Sequence, residues 1–112
     1  MNTLYGIKNC DTVKKARTWL DAHGIKYTFH DFRADGLTQA QVQIWYQELG
    51  DQLINKRSTT WKQLTDQQQA LASADPTALL AEFPTLIKRP LLDMGNARRV
   101  GFKADDYAQL FA

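Results

Sequence analysis

TLYGIKNCDTVKKARTWLDAHGIKYTFHDF, residues 3–32, holds a strand, a helix and a second strand in that order. Thr3 to Ile7 is a short apolar run of strand length. From Asp11 to His23 the apolar residues Val13, Ala16 and Leu20 recur at helical spacing, with Lys14, Lys15 and Arg17 on other faces. Gly24 follows as a helix-ending C′ glycine. Tyr27 to Phe32 then alternates as a strand, apolar at 27 and 29, until the pattern slips at Phe32. Strand, helix and strand in so short a stretch make a βαβ unit, which predicts parallel strands joined by a right-handed crossover.

Working outward, the next stretch has no strand pattern. Leu37 to Val42 combines a capping box, Thr38 with Gln41, and a hydrophobic staple, Leu37 with Val42. The helix it opens places Val42, Trp45 and Leu49 on one face and ends at Gly50. A short turn is expected around Thr60 to Leu64. Thr65 with Gln68 repeats the capping box for a helix through about Ser73. Asp75-Pro76 is an N-cap followed by proline at the first helical position, opening a helix that ends before Pro84. Residues 38–83 therefore read as a helical insertion within one domain spanning 1–112. β character returns with Leu86 to Met94, a Gly95-Asn96 turn and a strand from Arg98 to Phe102. Asp105 to Phe111 closes the chain as a helix with Tyr107, Leu110 and Phe111 on its apolar side. The class is α/β, in the order βαβ, helical insertion, ββα.

A chain of 112 residues is long enough to bury a core as one domain. Fourteen Lys and Arg against twelve Asp and Glu leave a net +2, too little charge to point to direct nucleic-acid binding. No stretch approaches the ~20 apolar residues of a membrane span. Met1-Asn2-Thr3 has neither the basic nor the apolar region of a signal peptide, so a cytoplasmic location is expected. One cysteine excludes an intramolecular disulfide. Together with two separated histidines, His23 and His30, it matches no zinc spacing, so no metal is expected.

Cys10 stands at the strand-to-helix junction. A side chain there faces the unpaired N–H groups and positive dipole end of the first helical turn. That position favours a thiolate, which is the nucleophile. Lys8, Lys14 and Lys15 push the same way and Asp11 pushes against them. Elsewhere a lone cysteine is commonly a small buried hydrophobe, and the helix-start position favours the reactive reading.

The residues also carry a family resemblance. Tyr5-Gly6-Ile7-Lys8-Asn9-Cys10-Asp11-Thr12-Val13-Lys14-Lys15-Ala16 resembles the active-site segment of the arsenate reductase/Spx family, in particular its YffB-like subgroup. Leu86-Ile87-Lys88-Arg89-Pro90-Leu91-Leu92 is similar to a second signature and Arg99-Val100-Gly101-Phe102 to a third, so the likeness covers essentially the whole chain. It implies a thioredoxin-like fold with a mixed sheet and a role for each matched position. Cys10 would be the redox nucleophile, and Pro90 a cis-proline facing it. Arg89 would approach the thiolate and hold an anionic substrate or a glutathione carboxylate. Lys8, Asn9, Thr12 and Lys14 would line the same cationic surface. Arg57 stands roughly where another family arginine reaches the site from the helical insert. Guanidinium suits such a pocket because its paired donors are always charged.

The resemblance implies a monothiol, glutathione-coupled thiol reductase with no bound cofactor. Glutathione would be its co-substrate, a small thiol or oxyanion its substrate, and glutaredoxin a redox partner. Two departures shape that expectation. The glutaredoxin-coupled arsenate reductases have Gly-Thr-Ser-Arg after the cysteine, whereas Asp11-Thr12-Val13-Lys14 stands here. A carboxylate beside an oxyanion is electrostatically unfavourable, which counts against arsenate. Val13 also replaces the second cysteine of a Cys-x-x-Cys switch, so the redox logic of the Spx regulators is missing. An Spx-like regulator that binds RNA polymerase through the helical insert, where Trp45, Tyr46 and Trp61 lie, stands as the alternative.

Overall fold

The computed structural model describes residues 2–112. The chain forms two compact units, one from its two ends, Met1–Ala34 with Arg89–Ala112, and one from Asp35–Lys88.

The first unit is built on a four-stranded mixed sheet. Strands β1 (Thr3–Gly6), β2 (Thr28–Asp31), β3 (Leu91–Asp93) and β4 (Arg98–Val100) stand in the order β2-β1-β3-β4. β1 pairs parallel with β2, Leu4 opposite Phe29, and antiparallel with β3, Leu4 opposite Leu92. β3 and β4 are antiparallel. Their hairpin closes at Met94, whose N–H donates to the Ala97 carbonyl at 2.9 Å, leaving Gly95-Asn96 as a two-residue loop. Gly95 has φ +89°, a conformation suited to glycine. The predicted parallel unit and hairpin are thus present.

Helix α1 (Asp11–Ala22) turns Val13, Ala16 and Leu20 inward, the spacing seen in the sequence. Its end is Gly24 at φ +66°. Helix α6 (Ala104–Leu110) supplies Tyr107. Leu4, Ala16, Leu20, Leu92 and Tyr107 form the core, with Trp19, Phe29, Phe102 and Phe111 against it. Burying a side chain of Leu size contributes ~1.5–3 kcal/mol. The phenol of Tyr107 sits edge-on to Trp19 (5.6 Å between centroids) and Phe102 (4.8 Å).

The second unit contains four helices: α2 (Gln39–Leu49), α3 (Thr59–Gln63), α4 (Asp66–Ala74) and α5 (Pro76–Glu82). α2 packs on α5, burying Val42, Trp45, Leu79 and Leu80. Two expectations change here. The Thr60 to Leu64 turn is a short helix, because Ser58 Oγ accepts the Trp61 N–H at 3.1 Å and starts it. The strand expected from Leu86 to Met94 is divided. Pro84–Leu86 is a 3₁₀ turn, Ile87 bridges Ile54, and the Lys88 N–H donates to the Leu53 carbonyl at 2.8 Å. Only Leu91–Asp93 joins the sheet, after Pro90, which has no N–H to give to a ladder. The final strand likewise stops at Val100, since Gly101 takes φ +79°. No helix among the described residues is long and apolar enough to cross a membrane.

Candidate active site

β1 ends at Gly6 and its parallel partner β2 at Asp31, directly opposite. β3 runs the other way and starts at Leu91, opposite Tyr5. One end of the sheet therefore carries three things: the Ile7–Cys10 connection, the exit from β2, and the Arg89-Pro90 approach to β3.

Gly6 sets how closely α1 can sit on that end. A Cβ at Gly6 would lie 2.7 Å from Val13 Cγ2, and Val13 is fully buried. The first turn of α1 therefore rests on the bare backbone of β1's last residue.

Cys10 is the N-cap of that helix, with extended backbone (φ −116°, ψ 122°) and a partly exposed free thiol. Its carbonyl accepts the first intrahelical bond, from the Lys14 N–H at 3.0 Å, while its side chain makes no capping bond. The first-turn N–H groups that a capping oxygen would take receive no bond from the Cys10 side chain. Lys8 and Asn9 form the exposed turn before Cys10. Thr12 is partly exposed in the first turn, and Lys14 is exposed one turn on. Asp11, exposed in the first turn, complements the helix dipole.

Arg89 is partly exposed and Pro90 buried, and the peptide bond between them is cis. The Pro90 carbonyl accepts the Gly101 N–H at 2.9 Å, tying this segment to the residue after β4. The first unit therefore brings Lys8, Asn9, Cys10, Thr12, Lys14, Arg89 and Pro90 to one end of its sheet. Arg57 belongs to the second unit. There its N–H donates to Asn55 Oδ1 at 3.1 Å and its side chain is exposed.

Asp31 escaped the sequence reading. It is the buried charged residue beneath this end of the sheet, and it accepts backbone N–H groups from Lys8, Arg33 and Ala34. Burial alone would raise its carboxyl group, but those three donors and the Lys8 charge outweigh it and hold it below the usual carboxylate value. A slip in the strand's apolar alternation at positions 31 and 32 was the one visible trace.

The sequence model of the ArsC family matches residues 5–110. The chain belongs to the ArsC family. An uncharacterized protein of Haemophilus influenzae is 47% identical over 118 residues and covers all of both chains. A solved YFFB protein is 44% identical, with a TM-score of 0.94 and full coverage of both chains. The structure of an ArsC-related protein from Brucella melitensis is 39% identical, covering 98% of this chain and 93% of that one, with a TM-score of 0.77. Among regulators, Spx of Streptococcus pneumoniae is 26% identical, covering 95% of this chain and 82% of its own. The ArsC-family fold seen here is the thioredoxin-like α/β fold with a mixed sheet, and the YffB-like subgroup fits the chain.

Proposed function

We propose that this ArsC-family chain is a monothiol, glutathione-coupled thiol reductase with Cys10 as its nucleophile. The observation that carries the reading is the N-cap geometry of Cys10. The sulfur stands at an uncapped helix start, in the connection that leaves the end of the sheet at which the cis Arg89-Pro90 segment enters β3.

The chemistry suits a substrate joined to glutathione through a disulfide. Cys10 thiolate attacks the glutathione sulfur, forming Cys10–S–S–glutathione and releasing the substrate as a thiolate that takes a proton from water. A second glutathione thiolate attacks the glutathione sulfur of that adduct, releasing Cys10 thiolate and oxidised glutathione. In sum, one reduced glutathione and the mixed disulfide become the substrate thiol and oxidised glutathione: the substrate sulfur is reduced, the incoming glutathione sulfur is oxidised, and the protein returns unchanged. The first-turn N–H groups stabilise the sulfur anion, and the cations of Lys8, Lys14 and Arg89 suit the glutathione carboxylates. Asp11 disfavours a multiply charged oxyanion in the same place, so mixed disulfides are better substrates than arsenate.

Incubation with oxidised glutathione tests this. Intact-mass measurement is expected to find one glutathione per chain, lost on adding reduced glutathione with glutaredoxin and absent in Cys10→Ser. No adduct on the wild-type protein would defeat the reading.

The Spx match across 95% of the chain supports a second reading, a protein-binding regulator whose partner is RNA polymerase. A pull-down with Cys10→Ser separates the two, because an adaptor keeps its partner without the thiol.

A further inference from the structure

Asp31 is only 7% exposed, and its two carboxylate oxygens do different things. Oδ1 accepts the Arg33 N–H at 2.8 Å and the Ala34 N–H at 3.2 Å, which turns the chain as it leaves β2. Oδ2 accepts the Lys8 N–H at 3.3 Å, across 23 residues of sequence, in the turn leading to Cys10. The first task needs no charge, since Asn or Ser makes the same local turn. The second needs an acceptor on both sides of a short side chain, and ionised Asp alone supplies that. The Phe32 N–H also donates to the Gly6 carbonyl at 2.8 Å. The segment leaving β1 is thus tied to the end of β2 at Gly6 and again at Lys8, and only Asn9 separates that second tie from Cys10.

We infer that Asp31 is a positioning residue for Cys10: its Oδ2 fixes the Lys8–Asn9 turn and so sets where the thiol stands against the first turn of α1. The inference rests on the reading of Cys10 as the nucleophile. The charge that acts on Asp31 is that of Lys8 in the connection from β1; His30 precedes it on its own strand and Arg33 follows it in the turn. A carboxylate acting only through its charge would disfavour a nearby thiolate. Charge and position therefore predict opposite outcomes when Asp31 is neutralised.

Asp31→Asn keeps an acceptor for Arg33 and Ala34 and turns an amide donor toward the Lys8 N–H. Asp31→Ser keeps one acceptor and opposes nothing, so it serves if the first variant folds poorly. The rate of Cys10 alkylation by iodoacetamide is followed against pH in the full chain, with urea unfolding as the check that each variant is folded. Both variants are expected to react about tenfold more slowly at neutral pH, within the ~10²-fold that a 1 Å misplacement costs, and with a higher pH midpoint. An unchanged or faster rate in the folded variants overturns the positioning role. Failure of the nucleophile reading looks different: the wild-type thiol itself would then alkylate like a free cysteine and take up no glutathione.

Discussion

Two kinds of helix start coexist in this protein. In the unit Asp35–Lys88 every α-helix opens on a side chain that caps it. Thr38 accepts from Gln41, Ser58 from Trp61, Thr65 from Gln68 with the reciprocal bond, and Asp75 from Ala78. At the start of α1, Cys10 has similar extended backbone and makes no such bond. The first group of ends is closed by local hydrogen bonds and stabilises short helices that would be marginal in isolation. The α1 start is seated instead from outside, by Gly6 beneath Val13 and by Asp31 through Lys8. A helix end held by its surroundings can leave its first-turn N–H groups for chemistry, which fits the general exchange of stability for activity at functional sites.

The sharpest way to break this comparison is at the seat. Gly6→Ala drives a methyl group into Val13 and is expected to destabilise the protein by about 1–3 kcal/mol, as overpacking does. Urea denaturation reads the loss, and the double variant with Val13→Ala should recover part of it. At the packed end of the same unit, the buried Tyr107 hydroxyl has no partner among the described residues. Burial, with a smaller push from Asp106, raises this phenol far above its ordinary value. Tyr107→Phe should therefore stabilise, by up to the ~1–3 kcal/mol that an unsatisfied buried group costs. Lower stability in that variant would mean the hydroxyl is bonded in solution.

At the capped starts, Thr65→Ala removes the Oγ1 that accepts the Gln68 N–H, keeps the backbone N–H that donates to Gln68 Oε1, and should cost ~1 kcal/mol. Cys10→Ser is its mirror image: a capping oxygen at an uncapped start should add about 0.5–1 kcal/mol, roughly 2–8 °C in melting temperature, while abolishing the glutathione adduct. A melting temperature that falls would show that position 10 cannot accept a cap. The smallest effect is in acid. Because the Asp31 carboxyl is held below its ordinary value, its contribution is complete above about pH 3.9 and is lost as pH falls through the lower folded value. Denaturation at pH 2–5 should show a gentler decline in Asp31→Asn than in wild type.

What could be read from the chain follows the range of the interactions. Thr38, Thr65 and Asp75 were legible as caps because a cap bonds only two or three residues ahead, and Gly95-Asn96 because a two-residue turn needs a positive φ. α3 was missed because its five residues carry no apolar period, although Ser58 was there to be read. The run from Leu86 looked like one strand, and nothing local shows that Ile87 bridges Ile54 while Leu91 joins β1. In the site, Cys10 was marked by its junction, and Arg89 and Pro90 by family resemblance. Asp31 left only the slip in the alternation of its strand, which names no partner for it.

The sequence by itself determined the starts of α1, α2, α4 and α5, the parallel βαβ unit, the hairpin turn and the single thiol, all of which depend on residue types near one another in the chain. Tertiary structure alone decided that α1 rests on Gly6, that the Leu86–Asp93 run is split, and that Asp31 reaches across 23 residues to hold Lys8. Those outcomes depend on which chain segments meet and on what can be buried without a missing hydrogen bond. No window of neighbouring residues contains that information.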